Sequence, residues 1–302
     1  MSEASERADE PDGRDGPRHP WLAGSRPRTL PASAVPVVVG TALAHAGGQV
    51  IWWRAACALV VAVALQVGTN YANDYSDGVR GTDAARVGPL RLLASGLASP
   101  EAVKRAAFAS FAVAGAAGLA LAAVAGWWLV LVGLACVAAG WLYTGGPRPY
   151  GYAGLGEIFV FVFFGLVATA GTVFVQLGRV TWLSVAAGAA VGLLAVAMLV
   201  VNNLRDIAGD SASGKRTLAV RVGASATRAA YAAAALVPFA VAAAMSASRV
   251  GSLLALASLP LAAPPVRRVL RREEGAGLIA VLGETGRLQL AFGALLAVGV
   301  WV

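Results

Sequence analysis

Residues 55–83 read AACALVVAVALQVGTNYANDYSDGVRGTD, an apolar run that passes directly into a cluster of amides and acids. On a helix, positions three and four apart share a face. Asn70, Asn73, Asp74 and Asp77 therefore form one polar stripe, with Asp83 a short loop further on. A second apolar run, residues 181–201, passes into Asn202–Asp210, NNLRDIAGD, where Asn202, Asp206 and Asp210 stack at four-residue steps and Asn203 lies close to Asp206. Two clusters of oxygen ligands on two apolar helices point to a site for hard cations. Mg²⁺ takes carboxylates and water and commonly bridges to the phosphates of a substrate.

The rest of the chain has the character of these two runs. Of its 302 residues 58% are hydrophobic and only 13% charged, with a mean hydropathy of +0.69, whereas an average soluble domain is about a quarter charged. The apolar segments lack the polar faces at helical period that a soluble helical protein needs. Their abundant Ala, Gly and Val suit close helix packing in lipid. The expected fold is all-α: a polytopic membrane protein of about nine transmembrane helices around a central cavity open to the cytoplasm. The expected spans are 32–46, 55–72, 105–123, 127–143, 157–176, 181–201, 228–247, 250–266 and 288–302. Residues 1–20 are polar and aperiodic and read as a disordered tail, retained because no signal-peptide pattern follows, and residues 21–302 as the membrane domain.

Cation placement sets the expected orientation. Of 24 Lys and Arg, only Arg54, Arg179 and Arg249 fall on the side opposite the tail. Positive charge gathers on the cytoplasmic face, so the tail and both acidic motifs are expected there, in the plasma membrane. The net charge of +8 then needs no nucleic-acid partner, since anionic lipid attracts the same loops. Arg26 and Arg28, in WLAGSRPRTLP ahead of the first span, read equally as a topology anchor or as anion contacts. Arg267, Arg268, Arg271 and Arg272 read as an anchor.

Each acidic motif is followed by a basic loop: Arg80, Arg86 and Arg91 after the first, Lys215 and Arg216 after the second. Metal together with Arg and Lys is an arrangement that neutralises a diphosphate and its departing charge. Acids at the ends of apolar spans are by default functional candidates. The alternative is a solvated helix end, and it is weaker for two matching motifs than for one. Cys57 and Cys136 are remote from each other in sequence, and His19 and His45 are isolated, so neither a disulfide nor a His-based site is expected.

With these motifs in hand, the chain resembles the UbiA superfamily of intramembrane aromatic prenyltransferases. More narrowly, NDYSDGVRGTD with RVGPLRLLASG, YTGGPRPYGYAGLGEIFVFVFFG, NNLRDIAGDSASGKRTLAVRVG and the leading GSRPRTLPASAVPVVVGTALA are similar, in that order, to the branch that prenylates 1,4-dihydroxy-2-naphthoate. The wider superfamily pattern ends its first motif in an Asp where this chain has Gly81, with Asp83 two residues later.

The resemblance implies two Mg²⁺ ions, held by Asn73, Asp77 and Asp83 on one side and Asp206 and Asp210 on the other, gripping the diphosphate of a polyprenyl diphosphate. It implies that Arg86, Arg91, Lys215 and Arg216 hold the diphosphate of the donor, that Tyr143 and Arg148 line the aromatic or diphosphate pocket, and that Asn203 is a further substrate-binding residue. The implied reaction transfers the polyprenyl group with loss of diphosphate and CO₂, giving demethylmenaquinone. Other acceptors, 4-hydroxybenzoate or homogentisate, stay open. A cation-coupled transporter would place its acids near mid-membrane on broken helices, and a CDP-alcohol phosphatidyltransferase would need a second Asp pair adjacent to the first. The aromatic run Ile158–Phe164 is expected to face lipid or core rather than a prenyl tunnel.

Overall fold

A computed structural model describes residues 19–81 and 90–302. The described chain is helical throughout, with no strand among the described residues. Its main helices are α1 Pro31–Ala46, α2 Trp52–Val79, α3 Pro100–Ala125, α4 Leu129–Leu142, α5 Gly156–Leu177, α6 Trp182–Ala212, α7 Leu218–Met245, α8 Val250–Leu270 and α9 Ala276–Trp301. Every expected span overlaps one of them. Seven are long and apolar enough to cross a membrane, and the α1 and α4 segments are shorter apolar helices of 16 and 14 residues. Of the tail expected over residues 1–20, residues 1–18 lie outside the described residues, and a short helix spans Pro20–Gly24.

The helices that carry the motifs run further than their apolar parts. At 1.5 Å per residue, the 28 residues of α2 reach about 42 Å and the 31 of α6 about 46 Å, against a hydrocarbon core of about 30 Å. The first motif is continuous helix from Asn70 to Val79 and the second from Asn202 to Asp210. Local chemistry fixes several starts: Ser99 caps α3 by accepting from Ala102 N, with Pro100 at the first position, and Thr181 and Ser184 form a reciprocal capping box on α6. In α7 the chain bends at Gly223, whose φ of 78° is left-handed and open to glycine.

Packing follows the small residues. The α2 helix lies along α3, α6 along α7, and α9 along both α1 and the start of α8. Helix α5 contains a π-helical stretch, Phe161–Val167, packed on α6. There a Cβ on Gly165 would lie 2.6 Å from both Gly188 O and Gly192 Cα, so the two backbones touch where three glycines meet.

Candidate active site

The polar stripe of α2 divides its labour. Asn70 donates from Nδ2 to Ser25 O at 2.8 Å and to Thr29 Oγ1 at 3.1 Å, holding the segment ahead of α1. That segment carries Arg26 at φ 55°, a left-handed conformation unusual outside glycine and found where the surroundings over-determine it. Asp74 accepts from Leu92 N at 2.7 Å and Leu93 N at 3.2 Å, fixing the loop between α2 and α3. Asn70 and Asp74, grouped with the cation ligands by their spacing, thus hold structure instead. Asn73 Oδ1 accepts from Thr144 Oγ1 at 2.7 Å.

Asp77 is the convergence point. Its carboxylate, 2% exposed, accepts from Tyr152 Oη at 2.6 Å and pairs with Arg91 Nη2 and Lys215 Nζ, each at 3.2 Å. Lys215 reaches it because its backbone N–H donates to Asp210 O at 2.8 Å, folding the chain back at the end of α6, and its Nζ lies 4.7 Å over the Tyr152 ring. Asp206 is gripped by its neighbour Arg205, at 2.7 and 2.8 Å. Asn203 donates from Nδ2 to Glu157 Oε1 at 2.9 Å.

Both motifs line one polar pocket of about 70 Å³, with Asn73 and Asp77 from α2 facing Asn202, Asn203, Asp206 and Asp210 from α6. Arg91, Tyr143 and Lys215 also line it. Beneath lies an apolar cavity of about 340 Å³, and Arg26, Asn73, Tyr143 and Asn202 line both spaces. The aromatic run of α5 is partly its wall: Phe159, Phe163 and Phe164 line the cavity, whereas Ile158 is turned out and 58% exposed. Phe159, Phe163 and Phe164 thus wall a cavity, whereas Phe161 packs against Gly192 of α6. Widened π turns bring several of them to one side, which a reading at ordinary helical period misses. Tyr150, stacked on Phe159 at 3.9 Å, donates to Ala139 O, and burial pushes its hydroxyl far above the ordinary phenol range, so it remains a donor.

Two expected contacts stay away. Arg148 is exposed and lines neither space, because Gly151 N donates to Tyr143 O and Tyr150 N to Leu142 O, turning Arg148 to the outside of the loop. Arg216 is likewise exposed; its backbone N–H donates to Tyr152 O and its side chain leaves the pocket to Lys215. Asp83 and Arg86 lie outside the described residues. Tyr152, Thr144 and Glu157 were not singled out by sequence. Only the position of Tyr152 and Thr144 in a Gly- and Pro-rich connector between spans hinted at them.

The donor set is all oxygen, which suits a hard cation. Among the described residues no three acid, His or Cys side chains gather closely enough to hold an ion by themselves. An ion here would be completed by water and phosphate oxygens, the ordinary habit of Mg²⁺. Charge balance points the same way. Among the described lining residues Asp77, Asp206 and Asp210 face Arg26, Arg91 and Lys215, so an entering diphosphate adds negative charge to a site already near neutral and calls for an accompanying cation.

A helical membrane bundle with a charged, oxygen-rich pocket over an apolar cavity belongs to the enzymes that handle a lipid-like substrate with an anionic head. Residues 33–300 match the UbiA prenyltransferase family, and the chain belongs to it. It is 47% identical over 272 residues, 90% of this chain and 93% of the relative, to the 1,4-dihydroxy-2-naphthoate octaprenyltransferase of Mycobacterium tuberculosis. It is 42% identical over 218 residues, 67% of this chain and 68% of the relative, to the Escherichia coli protein of the same name. A UbiA homolog from Archaeoglobus fulgidus, solved with GPP and Mg²⁺, shares the fold with a TM-score of 0.65 at 17% identity, covering 92% of this chain and 99% of that one.

Proposed function

We propose that this protein transfers a polyprenyl group from polyprenyl diphosphate to 1,4-dihydroxy-2-naphthoate, releasing diphosphate and CO₂ and giving demethylmenaquinol, the reduced form of demethylmenaquinone. The observation that carries the proposal is the meeting of the two acidic motifs in one polar pocket directly over an apolar cavity. The names of the relatives above support the choice of acceptor. On this reading the diphosphate occupies the polar pocket and the prenyl chain the cavity, with residues 21–302 as the catalytic domain.

The metal ligands on this reading are Asn73, Asp77, Asp206 and Asp210, with Asp83 from the neighbouring loop. When bound, Mg²⁺ supplies charge neutralisation for the diphosphate as it departs. Arg91 and Lys215, already turned toward Asp77, donate to diphosphate oxygens. The bond from the first prenyl carbon to oxygen breaks and its electron pair leaves with the diphosphate. Tyr143, which lines both spaces, and Tyr150 and Phe159, which continue the aromatic series along the cavity wall, face the allylic cation so formed and favour it through their ring faces. The ring carbon bearing the carboxylate bonds to the prenyl carbon. The electrons of its bond to the carboxylate return to the ring as CO₂ leaves, so no proton need be removed there.

The same reading counts α1 and α4 as crossings, nine in all, and sets the pocket at the cytoplasmic face of the plasma membrane, in keeping with the excess of inner cations. Incubation of the purified protein with labelled polyprenyl diphosphate and Mg²⁺, offering dihydroxynaphthoate, 4-hydroxybenzoate and homogentisate in parallel, tests it. Prenylated, decarboxylated naphthoquinol is expected; product only from another acceptor, or undiminished turnover in EDTA, contradicts it.

A further inference from the structure

Glu157 is a buried acid whose role neither sequence motif explains. It is 8% exposed, Oε1 accepts from Asn203 Nδ2 at 2.9 Å, and Oε2 is buried with no hydrogen-bond partner among the described residues. No ion pair among the described residues involves it. The first turn of α5, where it sits, favours negative charge, which offsets part of the burial. An acid kept at such a cost in an apolar helix is a functional candidate. Glu157 lines neither the polar pocket nor the cavity, so it does not touch reacting groups. Its side-chain partner among the described residues, Asn203, does line the pocket.

We infer that Glu157 is a positioning residue that fixes the orientation of the Asn203 amide, so that Asn203 presents its oxygen to the pocket and accepts a hydrogen bond from a hydroxyl of the aromatic acceptor. A carboxylate accepts only, so it draws the NH₂ of Asn203 and leaves Oδ1 for the ligand side. That oxygen cannot bind a diphosphate oxygen, which also accepts; it needs an O–H or a cation. Height along α6 selects between them. Asn202 lines both spaces and Asn203 follows it, whereas Asp206 and Asp210 lie about one and two turns farther from the cavity, toward the end of α6. The level of Asn203 is therefore where the headgroup region gives way to the chain cavity, and a ring attacking the first prenyl carbon must sit there. The inference rests on the acceptor reading proposed above.

Reversing the polarity of the pair tests it. Glu157→Gln keeps a carbonyl for Asn203 and is expected to stay within about fivefold of the parent kcat/KM for dihydroxynaphthoate. Asn203→Asp sets two carboxylates against each other in a buried site and is expected to lose about 100-fold or more. In the double variant the introduced glutamine amide donates its N–H to the introduced carboxylate. It is expected to return to within about tenfold of Glu157→Gln, because an oxygen again faces the pocket. The KM for prenyl diphosphate should move less than about threefold throughout. A double variant no better than Asn203→Asp, or a loss that falls on the prenyl diphosphate, overturns the inference. Melting temperatures of the same variants report the pair without turnover: Asn203→Asp should lower Tm and the added Glu157→Gln restore it, and absence of that rescue also overturns the inference. Failure of the acceptor reading looks different, since the parent protein itself would leave dihydroxynaphthoate unprenylated while the Tm rescue persisted.

Discussion

Asp74 and Asp77 are three residues apart on one helix, yet they do different work. Asp74 spends its carboxylate on two loop N–H groups, whereas Asp77 faces the pocket with Arg91, Lys215 and Tyr152 around it. Asp74→Ala is accordingly expected to destabilise the protein by about 2–3 kcal/mol, through loss of charge-assisted bonds and two unsatisfied donors, with turnover of the folded fraction retained. Asp210→Asn, by contrast, should leave the thermal transition near the parent and lower kcat/KM by about 10²–10³-fold, as expected for a group acting on developing charge. Lys215→Ala should raise the KM for the prenyl donor by about tenfold or more and leave that of the acceptor nearly unchanged, read from initial rates with each substrate varied in turn. The sequence singled out Asp77, Asp206 and Lys215 because acids and cations at the ends of apolar spans stand out against their surroundings. It could not separate Asp74 from Asp77, since helical spacing assigns both to one face and only the path of the following loop decides which acid it covers. Arg148 and Arg216 lie outside the pocket for the same reason: a cation beside a motif can turn either way, and the backbone of the connector chooses.

At the scale of elements, spans were legible and their ends were not. Apolar runs marked every main helix, but the polar ends of α2 and α6 carry on as helix to Val79 and Ala212 because nothing in either motif breaks one. The contact between α5 and α6 depends on glycines whose meeting no local pattern announces. Gly165→Val would force Cβ into Gly188 O and Gly192 Cα at 2.6 Å, between two backbones that cannot yield separately, and should destabilise by at least about 1–3 kcal/mol in a thermal or denaturant transition. Gly133 of α4 also lines the cavity, but a Cβ there meets nothing within 4 Å. Gly133→Leu should therefore fold as well as the parent. On the proposed use of the cavity it should slow transfer from long polyprenyl donors relative to geranyl diphosphate, because added carbon occupies space that only the longer chain needs.

For the molecule as a whole, on the topology proposed above, the polar pocket and the loop after α6 share the cytoplasmic side, with the α7–α8 connection opposite. A membrane-impermeant thiol reagent applied to intact cells should label Ser248→Cys and spare Ser213→Cys, both of which are exposed positions, and the reverse pattern would invert the proposed topology. The large-scale arrangement also explains why two motifs remote in sequence make one site. Lys215, 138 residues from Asp77, closes the gap from the α6 side, and the pocket is lined by both motif-bearing helices, by Arg91 and Lys215 and by Tyr143, Thr144 and Tyr152 of the α4–α5 connector. The most direct test of that central claim is anomalous diffraction from crystals holding Mn²⁺ and a non-hydrolysable prenyl diphosphate analogue. The account predicts Mn²⁺ peaks between Asp77 on one wall and Asp206 and Asp210 on the other, bridged by the diphosphate; peaks elsewhere, or a diphosphate bound away from both motifs, would contradict it.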